Sequence, residues 1–121
     1  MKKSEYISDF LNFIEQCKAD SHEAIEGVSR EDKRQENLVH AIENCGIAKE
    51  RNKLSTQLHK CRKERRKCKN MQEEVSWIVN FVSAPENKKT FDRLMQVLGN
   101  VRKTEERHEN WIYKPRLKEG E

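Results

Sequence analysis

An all-α protein is the fold class this sequence predicts, in the form of a long-helix hairpin or coiled-coil oligomer with an extended C-terminal arm. Three observations point there. From Leu54 to Val82, every third and fourth residue in turn gives Leu54, Leu58, Cys61, Arg65, Cys68, Gln72, Val75, Val79 and Val82, an unbroken heptad seam. Only four Gly and two Pro occur in 121 residues, too few for a disordered chain. Charged residues make up 38% against 34% hydrophobic, which suits amphipathic helices better than a globule with a large core.

The seam sets the scale. Its helix is roughly 43 Å long at 1.5 Å per residue, more than a chain of this size is expected to cover by itself. The pattern therefore predicts a partner helix from a second copy, and so a homo-oligomer, dimer or higher. Arg65 interrupts the apolar positions. A buried unpaired charge costs several kcal/mol, so an acidic partner or a bound anion must meet Arg65, or the seam opens there.

The elements follow in order within a single domain, 1–121. Ser4 caps a first helix, 1–20, with Tyr6, Ile7, Phe10, Leu11, Phe13, Ile14 and Cys17 on one broad face. Residues Asp20 to Arg34 lose the periodicity and contain Gly27, which predicts a loop. A long helix is expected over 32–83, carrying Leu38, Ala41, Cys45 and Ala48 and then, past a change of phase at Gly46, the seam. Ser83-Ala84-Pro85-Glu86-Asn87 reads as a turn between two antiparallel helices. A third helix, 86–108, shows Phe91, Leu94, Met95, Leu98 and Val101, and the hairpin rule predicts that Val75 to Val82 meet Phe91 to Leu98. Residues 109–121 form the arm, extended past Lys114 by Pro115.

Composition narrows function by exclusion. A net charge of +4 favours an anionic partner. No stretch approaches the apolar length of a membrane span, and Glu5 and Asp9 interrupt the signal-like opening Met1-Lys2-Lys3, which predicts a cytoplasmic protein. The four cysteines lack C-x-x-C spacing and read as small buried hydrophobes, so no metal site is expected. Phosphate-loop, nucleophile-elbow and zinc-protease motifs are missing, which predicts a protein that is not an enzyme and needs no cofactor.

Two basic regions remain as candidate sites. Lys60 to Lys69 holds a single acid, Glu64, with Arg62, Arg65 and Arg66 as its arginines; its ordinary reading is a solvated helix face. The second combines Arg102, Lys103, Arg107, Trp111, Tyr113 and Arg116, in which flat aromatics can stack on a base and arginines can hold phosphates. Its ordinary reading is an arm pinned to the helices by its aromatics. Arg102 and Arg107 lie on neighbouring faces, so a pocket using both must be closed from outside the helix. The arm is the expected closure, and Phe81 or Phe91 the expected apolar wall.

With RKERRKCKN (Arg62 to Asn70) followed by LGNVRKTEERHENWIYKPR (Leu98 to Arg116), the chain resembles the phage anti-Thoeris sponges in length and in the order of these segments. The resemblance covers about half the chain. It implies a non-enzymatic oligomer that binds a cyclic ADP-ribose isomer made by a TIR-domain defence enzyme, with cyclic oligonucleotides as further ligands, in an infected bacterial host. Where the family pattern has an arginine two residues before the tyrosine, this chain has Trp111, which leaves that phosphate contact without its cation. A basic coiled-coil regulator of DNA or RNA, and a structural adaptor, stand as the alternatives.

Overall fold

The computed structural model describes residues 1–111, and over them the chain is all-helical: α1 (Lys3–Glu43), α2 (Ala48–Ser83) and α3 (Pro85–Glu109). The expected arm lies outside the described residues beyond Trp111.

α1 is one continuous helix of 41 residues, so the loop expected over Asp20 to Arg34 is helix instead. The reason is visible in what faces inward there. Ala24, Gly27 and Glu31 are buried and Ser21 and Gln35 half-buried, so the inner stripe continues without large apolar residues to announce it. Gly27 costs about 1 kcal/mol of helix propensity, an amount that a long helix packed on a neighbour tolerates.

The expected single helix over 32–83 is also broken. α1 ends at Glu43, where the Asn44 amide N–H and side chain both donate to the His40 carbonyl, and α2 begins after an extended Ile47. The Arg51 guanidinium donates to the Cys45 carbonyl at 2.7 Å and ties the connection to the start of α2. Burial favours this reversal. One straight helix through Gly46 would leave two apolar stripes in water, whereas folding back lays one on the other.

α1 and α2 run antiparallel, as their paired residues show: Gly27 with Cys68, Glu31 with Cys61, and Asp32 with Arg65. Cys61, Val75 and Val82 are buried and the other six seam residues half-buried. The seam is therefore real, but its partner is α1 of the same chain. The argument that it requires a second copy falls, because α1 at 41 residues is longer than the seam it covers.

α3 does not fold back along α2. Its far end meets the start of α1, with Glu105 at Ser4 and Glu109 at Lys2, while α2 pairs with the rest of α1. The expected pairing of Val75 to Val82 with Phe91 to Leu98 is thus confined to the junction, where Val82 shares a pocket wall with Phe91, Met95 and Leu98, the rings of Phe81 and Phe91 meet edge-on, and the Asn87 side-chain amide donates to the Phe81 carbonyl. Pro85 explains the break without a reversal. It forces Ala84 into extended geometry, lacks the N–H that α2 would need to continue, and sits at the first position of α3.

Candidate ligand-binding site

Where α3 crosses the first half of α1, the helices form a half-open cavity of 330 Å³. Its apolar wall comes from all three elements: Leu11 and Ile14 of α1, Val82 closing α2, and Phe91, Met95 and Leu98 of α3. Each is placed by its helix. Leu11 and Ile14 are three apart on the inner face of α1, and Phe91, Met95 and Leu98 recur at fours and threes along α3. Ile14, Val82 and Leu98 are buried, so this wall is also the core that docks α3.

The polar lining includes three cations from two helices, Lys18, Lys88 and Arg102, of which Lys88 and Arg102 stand about 21 Å apart along α3 at opposite ends of the pocket. Glu15 and Asp92 also line the cavity. An aromatic ring on one side and a surplus of cations on the other can take a flat, anionic ligand, with carboxylates left to accept hydrogen bonds from hydroxyl groups.

A second set of contacts holds α3 in place. The Ser4 amide donates to the Glu105 carboxylate at 3.3 Å, Arg102 donates to the Ser8 hydroxyl at 3.4 Å, and Lys2 pairs with Glu109. Hydrogen bonds from Ser4 hold the Glu105 carboxyl below its ordinary range, with Lys2 and Arg102 adding attraction. The hydrogen bond and charge of Glu109 push the Lys2 ammonium up. These residues line a depression of 320 Å³ that carries five acids, Glu5, Asp9, Glu105, Glu106 and Glu109, against Lys2 and Arg102. That charge balance suits no phosphate.

The predicted site residues are thus divided. Phe91 and Arg102 both line the cavity, about 16 Å apart along α3. Phe81 stands beside it, largely exposed and edge-on to Phe91. Lys103 and Arg107 are exposed on α3 away from the lining, and Arg107 in the last turn has a simpler role opposite the negative end of the helix dipole. Trp111 is exposed just past α3, its N–H donating to the His108 carbonyl. Tyr113 and Arg116 lie outside the described residues. Lys18 and Lys88 escaped the sequence reading because each is an ordinary lysine on a helix; no spacing rule links residues whose proximity depends on how two helices cross.

In the other basic region, Arg62 and Arg66 are exposed, whereas Arg65 is half-buried and bonded to Asp32 at 2.5 Å. The acidic partner that the seam required is therefore on α1. Beside it, Cys61 is fully buried and donates its thiol hydrogen to the Glu31 carbonyl at 3.2 Å. Burial pushes the Cys61 thiol up, and the nearby Glu31 side chain adds to the shift, so it is a small core residue and not a thiolate. Cys17 is buried as well, while Cys45 and Cys68 are half-buried; all four are free. Among the described residues no three metal-ligating side chains converge, and no helix is long and apolar enough to cross a membrane. No protein-family model, no curated protein and no solved structure matches this chain.

Proposed function

We propose that the cavity between α1 and α3 holds an anionic cyclic nucleotide of the cyclic ADP-ribose type, and that the protein acts by sequestering this immune signal uncleaved, as a phage anti-defence sponge. The observation that carries the reading is the Phe91 ring in a pocket of 330 Å³ whose lining also carries Lys18 and Lys88. That volume takes a base or a ribose while the pyrophosphate stays at the cationic rim, where charge-assisted bonds are strongest. The resemblance of the two basic segments to the sponge family supports the same ligand class. Phe91 stacks on the base, Lys18 and Lys88 hold the phosphates, and Glu15 and Asp92 take the sugar hydroxyls, while Arg102, about 16 Å further along α3 from Phe91, stays with Ser8.

Calorimetric titration with cyclic ADP-ribose isomers tests it. Lys88→Ala should weaken binding about 10- to 100-fold, the scale of one charge-assisted contact. Ligand released by denaturation should be intact. No binding and no thermal shift with any cyclic nucleotide overturns the reading. One observation favours a second reading, binding of DNA or RNA: Lys60, Arg62, Lys63 and Arg66 are all exposed on one stretch of α2. Contact with several phosphates would show as a steep loss of affinity with salt, and Arg62→Ala with Arg66→Ala would then matter where Lys88→Ala does not.

A further inference from the structure

The aromatic residues among those described are on the outside. Among the described residues none of the seven Phe, Tyr and Trp side chains is buried: only Phe91 is half-buried, and Trp77 is 83% exposed. Core positions are filled instead by Ile14, Cys17, Ala24, Leu38, Cys61, Val75, Val82 and Leu98. Exposed apolar residues are ordinary when scattered, but these form a continuous face. Tyr6, Phe10 and Phe13 share one flank of α1 at helical spacing, and Trp77 and Phe81 are four apart on α2. Phe91 joins the two sets, stacked on Phe10 with ring centres 6.2 Å apart and edge-on to Phe81 at 6.5 Å.

We infer that this face is where a second copy of the chain docks, through a two-fold contact centred on Trp77 and Phe81. Area argues for it. The five outer aromatics are between 45% and 83% exposed, which leaves roughly 600 Å² of aromatic surface on one protomer. A standard interface takes about 800 Å² from each partner, so this face with a thin polar rim is the right size for a stable contact. A two-fold interface needs one self-complementary patch, and an apolar stripe with rings from three helices supplies it. Residues 112–121 are the competing cover, but Ile112, Tyr113 and Leu117 are their only large apolar side chains against five charged ones, too little to cover the face. The contact is distinct from the α2 seam, which α1 occupies, and Phe91 is the one ring it shares with the cavity lining.

Sedimentation equilibrium of the full chain tests the inference against the protomer mass of 14.4 kDa. The expected result is twice that mass at micromolar concentration. Trp77→Ser with Phe81→Ser should weaken association roughly 100-fold or more, the scale of losing two central aromatic anchors, with helicity by circular dichroism unchanged because both side chains are already exposed. A full chain that stays monomeric at high concentration overturns the assignment, as does a dimer that the double substitution leaves intact. If the full chain is monomeric and becomes dimeric on Tyr113→Ser with Leu117→Ser, the arm covers the face and the second copy does not. Nucleotide titration of Trp77→Ser alone, which leaves the Phe81–Phe91 contact at the cavity wall in place, reads the cavity separately, so either proposal can fail alone.

Discussion

The two stretches of α1 bury different chemistry. Its middle packs on α2 through Gly27, Glu31, Cys61 and Cys68, a contact of small and polar groups, whereas its beginning packs α3 through Leu11, Ile14, Phe91 and Leu98. The middle is held by close approach: a Cβ placed on Gly27 would stand 2.5 Å from the Cys68 sulfur. The first stretch is held by ordinary apolar burial around a cavity. Close packing leaves little room for a ligand, and open packing trades stability for a space that something else can fill.

The difference breaks most sharply at Leu98, the one buried residue of α3. Leu98→Ala should cost about 2–4 kcal/mol, from lost burial and an enlarged cavity. Hydrogen exchange should show α3 losing protection while the α1–α2 pair keeps it, since α3 depends on this contact and α2 does not. Equal loss of protection across all three helices would show that the two regions unfold as one.

Glu31 tests the middle from the opposite direction. Its side chain is 7% exposed, Arg30 and Arg34 approach it only to 3.8 Å, and its Oε2 has no hydrogen-bond partner. Replacing a poorly paired buried charge by an apolar residue is often stabilising. Glu31→Leu is therefore expected to raise stability by about 1–2 kcal/mol, a rise of several degrees in melting temperature. A fall instead would mean that Glu31 gains more from Arg30 and Arg34 than their distances suggest.

A smaller effect, with a change of sign, is expected at Gly27. Gly27→Ala should destabilise by roughly 1 kcal/mol, because overpacking against Cys68 outweighs the gain in helix propensity. In a Cys68→Ala background the same substitution should stabilise by a similar amount. A double-mutant cycle in urea measures the coupling, and its absence would remove the close approach as the explanation.

The smallest effect concerns pH at the α3 end. Glu105 has a lowered pKa in the folded protein, so the stability it lends is present above the ordinary 4.5 and is lost as pH falls through the lowered value. Lys2, raised above 10.5, lends stability that is full below that value and is lost at higher pH. Amide exchange at the end of α3 should therefore quicken in acid before that of α2, and Glu105→Gln should flatten the response. An acid response identical in α2 and α3 would show that this clamp is not what titrates.

Helical class and the Leu54 to Val82 seam were legible in the residues themselves, because periodicity depends only on local geometry. Arg65 likewise announced that an acid had to meet it, without saying that Asp32 would. Residues 20–34 were misread because their inner positions are Ser21, Ala24, Gly27 and Glu31, which bury well only against the small groups of α2 and so carry no apolar signal of their own. The turn at Asn44 to Ile47, and the path of α3 along α1 and not α2, were decided by tertiary structure, since a break in a helix does not state the direction in which the chain resumes. The same holds for the site. Phe91 and Arg102 stood out by residue type, but Lys18 and Lys88 joined them only because two helices cross there, and the crossing depends on the whole packed surface rather than on any local run of residues.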